Sequence, residues 1–524
     1  MRKIYQFLLL LFLSAPAFAQ EKVVSGKVLG PDNEPLQGVT VAVPGGKTQT
    51  ATDAQGQFSL SVPAGTKQLM FTFVSMRSIT ENIGNNNQVS IKMVPEGAQG
   101  AEVVVVGYGT QKKANLTGAV DQVSAEVLEN RSITNLSQGL QGVLPNLNIR
   151  PLDGKPTQSP RFNIRGLTSV GQGGSALVLI DGVEGDPSVI NPNDIATISI
   201  LKDAASAAIY GARAAFGVVL ITTKNPARGK TSVTYTTNFS IKKPTEVPDF
   251  ENDAYIWSKY FAESFVAWEN QFPTAVNKTL KFSQAYLTEV ERRSTLTGLP
   301  EVEIDPVTGE YVYYASTDWY GQLYKKSTTA MEHNLTISGS SEKTAFMLTG
   351  RYFGQDGMFR YNSDDYKLLN FRSKGSVQLY DWLKLENNAD FSNMKYHNPL
   401  NVGEGGGIFR NIADEGHPLA PLLNPDGTLT ASAAYSVGDL WYGKSGFDFE
   451  RSIFRNRTGA TASFFKDVFR LKADFTFQTT ENAEKRKQVP LPYSSKPGQI
   501  AYLGTTTNDL REIRQRTQYI ATNI

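Results

Sequence analysis

The chain has 524 residues, 52 of them basic and 50 acidic, for a net charge of +2, and it contains no cysteine. Such balance excludes the strong positive field by which proteins hold nucleic acid or an anionic lipid surface. Without cysteine, disulfides, thiolate metal sites and the cysteine-borne anchor of a bacterial lipoprotein are excluded as well.

The chain opens with Arg2 and Lys3, continues as an apolar run over residues 7–13, and then reads "SAPAFAQ". A basic start, a short apolar core and small residues at Ala17 and Ala19 predict a secretory signal peptide over residues 1–19, cut between Ala19 and Gln20. The run is far shorter than the about 20 apolar residues a spanning helix needs. If the exported chain enters a membrane, it does so as a β-barrel.

Residues 20–95 alternate short apolar segments, "VVSGKVL", "GVTVAV", "GQFSLSV", "KQLMFTFV" and "QVSIKMV", with turn clusters such as "GPDNEPLQ" and "TDAQG". That spacing predicts a small antiparallel β-sandwich. The order of segments resembles the carboxypeptidase-regulatory-like domain, a transthyretin-like fold, with "FTFVSMRS" as a departure from its pattern. Residues 96–113 form a linker. Within it Glu102 precedes Val103, Val104, Val105 and Val106, and Gly107, Tyr108 and Gly109 break the run. Four consecutive valines suit a strand covered on both faces. The strand is either offered to a partner sheet or buried as the first strand of the next domain.

Residues 114–226 read as a mixed α/β unit with strands beginning at Phe162, Ala176, Ile195 and Gly217. Asp203 is placed to cap a short Ala-rich helix, and Gly211 to end it in a left-handed conformation. From Thr231 onward, candidate strands of about ten residues alternate apolar and polar side chains, the pattern of a transmembrane β-barrel. In "FRLKADFTFQ", Phe469, Leu471, Ala473, Phe475 and Phe477 face one way, and Arg470, Lys472, Asp474 and Thr476 the other. Links at 338–343, 380–382 and 466–467 are short, while those at 242–328, 355–365, 397–453 and 481–512 are long. A soluble sandwich would give similar strands; the alternating link lengths and the export signal favour an outer-membrane barrel over residues 227–524. In the first long link a helix starting at Asn252 or Asp253 sets Trp257, Phe261, Phe265 and Trp268 in one stripe. That stripe either packs on its own protein or meets a ligand at a barrel mouth.

The segments "RFNIRGLTSVGQGGSALVLIDGVEGD" and "NDIATISILKDAASAAIYGARAAFGVVLITTK" closely resemble the SusC/RagA family of TonB-linked outer-membrane transporters. The resemblance spans the sandwich, the valine segment, a plug domain over residues 114–226 and the first barrel strands. It implies a mainly β fold: sandwich, α/β plug, then part of a barrel of about 22 strands. It implies that Glu102 to Gly109 act as a TonB box, bound by the inner-membrane TonB complex through β-augmentation. It also implies a SusD-like surface lipoprotein as partner, outer-membrane lipid around the barrel, and oligosaccharides or peptides as substrate. Arg165, Asp181 and Asp203 match plug positions, where a charge either holds the plug against the barrel wall or satisfies nearby backbone. The chain stops after about a third of such a barrel, so it is expected to be an N-terminal fragment or a truncated reading frame. The rival function is a signalling receptor.

No enzyme signature stands. "PGGKT" has Val41 where a phosphate-binding loop requires glycine, and "GQGGSA" precedes a strand instead of opening a helix. His333 falls in a barrel strand and His397 and His417 in a long loop, all without metal-ligand spacing, and a lone loop histidine is expected to be solvated. The sequence predicts no catalytic residue, metal or cofactor.

Overall fold

The computed structural model describes residues 21–523 except 31–32, 47, 64, 74–75, 84–86, 94–102, 107–108, 113–119, 128–135, 146, 151–160, 165–174, 228, 278, 401–415, 466–467 and 505–506. The expected signal peptide and its cleavage residues Ala19 and Gln20, together with Glu102, Gly107, Tyr108 and Arg165, lie outside the described residues. The chain divides into two units, residues 1–117 and 118–524.

In the first unit the strands are Glu21–Leu29 (β1), Thr40–Ala42 (β2), Gln49–Ala51 (β3), Gln57–Pro63 (β4), Gln68–Phe73 (β5), Met76–Asn82 (β6) and Gln88–Lys92 (β7). They form two sheets, β4-β1-β7 and β3-β2-β5-β6. Strict alternation in β4 turns Phe58, Leu60 and Val62 inward, onto Val24, Val41 and Phe71. The sandwich is not wholly antiparallel as the sequence predicts, because β1 and β7 pair in parallel. The polar strand Met76–Asn82 escapes a search for apolar segments. Val103–Val106 (β8) pairs antiparallel with Gly109–Lys112 (β9), from Val103↔Lys112 to Val106↔Gly109. This hairpin is a two-stranded sheet of its own.

The second unit begins with Val120–Ser124 (β10), Asn148–Arg150 (β11), Arg161–Asn163 (β12), Leu177–Ile180 (β13), Val183–Glu184 (β14), Ile195–Leu201 (β15) and Val218–Thr223 (β16). Five of them form a sheet in the order β10-β15-β16-β13-β14, and β11 pairs with β12. The sheet's core is aliphatic: Ile195, Ile198, Ile200, Val219 and Ile221 are buried with Leu136 and Leu140. Gly211 sits at φ 65°, ψ −153°, so the Ala-rich segment kinks there and runs on in a tighter turn to Ala214 rather than ending as expected.

An eight-stranded antiparallel sheet follows. Its strands are Ser232–Lys242 (β17), Thr328–Ser340 (β20), Thr344–Asp356 (β21), Asp365–Tyr380 (β22), Leu383–Pro399 (β23), Gly446–Phe464 (β24), Phe469–Gln488 (β25) and Asp509–Asn523 (β28). The links Val302–Ile304 (β18) with Tyr311–Tyr313 (β19), and Leu491–Lys496 (β26) with Gln499–Leu503 (β27), are separate hairpins. Along β25, Phe475 is 48 % exposed while Thr476 is 1 % exposed, so the apolar row faces outward and the polar row faces the side of the five-stranded sheet. Stacked rings at Tyr380, Trp382 and Phe464 mark the outward face near the short-turn ends, the position of an interfacial aromatic girdle.

The strands are longer than the expected ten residues, up to 20 in β25. Their upper halves carry outward charge pairs: Lys395–Glu450, Lys485–Glu512 and Arg516–Glu481 at 3.4, 3.6 and 3.4 Å. These charges hide the strands from an apolar alternation search, because membrane passage itself needs only about 9–11 residues. For the same reason His397 is not in a loop but on β23, 2.7 Å from Asp448.

Among the described residues the long links carry helices and further hairpins. Asp253 caps Ala254–Glu269, accepting from the Tyr255 and Ile256 amides at 2.9 Å each. Trp257 stacks on Phe261 at 5.2 Å and Phe261 meets Phe265 at 6.0 Å, but Trp268 is 87 % exposed. His417 is not solvated. It lies 5.3 Å from Trp257, its carbonyl accepts from Trp319 Nε1 at 2.8 Å, and burial pushes its imidazole down to about 4. An unfolded histidine binds its proton near 6.5, so between these values the unfolded form holds more protons. The loop assembly is therefore expected to lose stability as pH falls from about 6.5 to 4. Tryptophan fluorescence during acid titration measures this, and His417→Gln should reduce the loss in that window.

Candidate functional site

The most heavily charged buried region lies where the five-stranded sheet of the plug meets the wall strands β22 to β25. It starts from an Asp-Gly turn. Asp181 and Gly182 join β13 to β14 with positive φ at both residues, 49° and 84°. That is the two-residue hairpin geometry for which Asp-Gly is suited. The turn leaves the Asp181 carboxylate between both layers. Within the plug it accepts from the Thr223 amide at 2.9 Å and hydroxyl at 2.7 Å. From the wall it accepts from Asn388 Nδ2 at 2.8 Å and Arg372 Nη1 at 3.4 Å. Its backbone carbonyl accepts from Arg457 Nη1 at 2.6 Å, and Arg457 in turn forks Asp474.

Strand register supplies the rest. Arg372 lies opposite Asp390, and Asp390 opposite Arg455, so one cross-strand row alternates in charge along the inner face. Arg455 Nε donates to Asp390 at 2.9 Å, and Arg372 Nε donates to Asp194 at 3.2 Å. Lys374 Nζ donates to the Thr223 carbonyl at 3.3 Å, and Arg451 Nη1 to Asp186 at 2.6 Å. Asn370 Nδ2 donates to the Val189 carbonyl at 2.6 Å. A cavity of about 30 Å³ between Asp194, Asn370, Arg372 and Arg455 has room for a water or two.

The two central carboxylates differ. At Asp181 burial works upward, but Lys374 and Arg372 with the Thr223 bonds hold the carboxyl down to about 2. At Asp194 burial prevails over Arg372 and pushes the carboxyl up. Replacing such a network by apolar packing would cost little stability, but removing one partner strands a buried charge. The arrangement therefore positions the plug by contacts that are polar and separable.

Of the expected site residues, Asp181 belongs to this cluster. Asp203 does not join it: its Oδ1 accepts from the Ser206 amide at 2.6 Å and its Oδ2 from the Ser206 hydroxyl at 3.2 Å. Val103–Val106 and Gly109 pair in the hairpin of the first unit. Sequence reasoning missed Asp194, Arg372, Asp390, Arg455 and Arg457. Alternation places the wall residues among them on the polar face, but only the register shows that they meet.

Two family descriptions match. Residues 24–106 match the CarboxypepD_reg-like domain, and residues 112–218 match the TonB-dependent Receptor Plug Domain. The chain carries a TonB-dependent receptor plug domain behind a CarboxypepD_reg-like domain, and over most of its length it is similar to TonB-dependent receptors.

Among curated relatives, it is 28 % identical over 441 residues to TonB-dependent receptor P3 of Formosa agariphila, covering 83 % of this chain and 39 % of that protein. To the TonB-dependent receptor SusC of Bacteroides thetaiotaomicron it is 29 % identical over 402 residues, covering 74 % of this chain and 35 % of that one. The chain thus spans somewhat over a third of the length of these relatives. The RagAB peptide importer in its open-open state superposes with a TM-score of 0.60 at 23 % identity, over 80 % of this chain and 46 % of that one. That likeness shows the shared fold, and the eight-stranded sheet corresponds to part of its barrel. TonB-dependent receptors are outer-membrane β-barrel proteins and not enzymes.

Proposed function

We propose that this receptor imports bulky nutrients, oligosaccharides or peptides, across the outer membrane, driven through the TonB complex and assisted by a SusD-like surface lipoprotein. The observation that carries the reading is the plug–wall contact centred on Asp181 and Arg372, a charged and hydrogen-bonded network beside a smaller apolar seat where Val189 clusters with Phe353, Leu368 and Met394. Such a contact holds a plug in register yet parts under load without exposing a large apolar face to water. The peptide alternative draws on the RagAB importer and the oligosaccharide alternative on the family resemblance. Residues 1–19 serve as the export signal, 20–95 as the sandwich, 96–113 as the linker, 114–226 as the plug and 227–524 as barrel.

In this reading Glu102 to Gly109 present a strand edge to TonB. Pairing within the hairpin leaves the outer edge of Val103–Val106 with backbone donors and acceptors for an added strand. Asp181 serves as plug anchor, Asp203 as a local helix cap, and Arg165 as a further plug charge.

Cells displaying the receptor are expected to accumulate a labelled oligosaccharide or oligopeptide only while the inner membrane is energised. An uncoupler should abolish accumulation and leave surface binding intact. Accumulation that persists with the uncoupler would overturn the reading. A transcriptional response without accumulation would establish the signalling alternative.

A further inference from the structure

On β25 the side chains that share the inner face with Asp474 and Thr476 continue upward through Glu484 and Arg486, without a register break against either neighbour. Arg486 lies 12 residues beyond Asp474, about 40 Å along the strand at roughly 3.3 Å per residue. It therefore lies toward the long-loop end, four residues beyond Asn482, which stands opposite the plug-contacting Arg451. Directly opposite Arg486 stands Arg511 of β28, and on the other side Phe447 of β24.

Two like charges directly opposite each other in a ladder destabilise it. Arg486 donates to Gln488 at 3.3 Å, and among the described residues neither guanidinium has a carboxylate within ion-pair distance. The pair borders a cavity of about 350 Å³ lined also by Asn398, Phe447, Glu484 and Ile513. Elsewhere on these upper strands three opposite-charge pairs form on the outward face, Lys395–Glu450, Lys485–Glu512 and Arg516–Glu481. An arginine pair left uncompensated on an inner face, beside an aromatic and an aliphatic side chain, fits a planar anion. A carboxylate takes two parallel N–H bonds from a guanidinium, and one carboxylate between two such forks relieves their repulsion.

We propose that Arg486 and Arg511 form a carboxylate-binding subsite on the inner wall of the receptor, for an acidic group carried by the imported ligand. The inference rests on the import reading and narrows its substrate class to carboxylate-bearing molecules. Both acidic peptides and uronic-acid oligosaccharides carry the group. Glu484 separates them: it favours an amine beside the carboxylate and repels a second acid.

The test uses the receptor in outer-membrane vesicles with two labelled probes, an acidic octapeptide with a free amino terminus and an oligogalacturonide. Each is compared with its uncharged counterpart, amidated or methyl-esterified. At least one acidic probe is expected to bind roughly tenfold tighter than its counterpart, a difference that Arg486→Gln with Arg511→Gln removes. The double variant should assemble at normal abundance, because it loses a repulsion. Glu484→Gln should weaken the peptide if peptide is the ligand, and strengthen the oligogalacturonide if sugar is. Equal binding of charged and uncharged probes, binding of neither acid, or acidic binding unchanged in the double variant each overturns the subsite. Uncoupler-resistant accumulation with this binding intact would instead overturn import and leave the subsite standing.

Discussion

Arg372→Met is expected to cost the receptor about 3–5 kcal/mol of stability, since it strands buried carboxylates that now share one guanidinium. Asp194 and Asp390 lie 3.2 and 3.6 Å from Arg372, and Asp181 lies 3.4 Å away. Arg455 still holds Asp390, and Lys374 and Thr223 still hold Asp181. The loss therefore falls mainly on Asp194, which is buried and already pushed up. Adding Asp194→Asn to Arg372→Met should recover part of the stability. Acidification should do the same, because protonating Asp194 removes the stranded charge. Denaturant unfolding in detergent, with protease sensitivity of the plug as a second readout, measures both effects. An Arg372→Met receptor as stable as the parent would show that the cluster does not hold the plug.

Phe475→Arg is expected to impair barrel assembly by about 2–4 kcal/mol if the site lies near the bilayer midplane. The outward apolar row of β25 runs from Phe469 to Phe477, with Phe475 in its inner part, and Leu471 on the same face should behave alike. The inner face needs a conservative control, because Thr476 is fully buried against the plug side and a large residue there would clash. Thr476→Ser and Lys472→Gln are expected to assemble normally. Heat-modifiability on gels reads the outcome. Greater harm from the inner pair would mean the register is off by one, inverting every facing assignment.

The sequence made the architecture legible where a single physical signal dominates. Period-two alternation revealed the apolar half of β25, and the resemblance singled out Asp181, though not the turn on which it sits. It concealed strands whose outward positions are charged, such as the upper part of β23 with Lys395 and His397. The plug contact was legible only at Asp181. Its wall partners Arg372, Asp390 and Arg455 sit in three different strands, and no local pattern states that they face one another. His417 misled for a related reason, since loop position predicts solvent but its burial comes from Trp257, about 160 residues earlier in the chain.

In the proposed function the valine segment couples energy to a plug held by separable polar contacts. The most direct measurement compares Val104→Pro with Val104→Ala for uptake, surface abundance and ligand binding in the same cells. Proline at Val104 removes the amide that faces Gln111 in the hairpin and fixes its own φ, so it disrupts the strand that a partner would extend, where alanine does not. The account predicts that Val104→Pro abolishes energised uptake while abundance and binding stay at parental levels, and that Val104→Ala takes up ligand normally. Abundance falling in step with uptake, or normal uptake with proline at Val104, would contradict it.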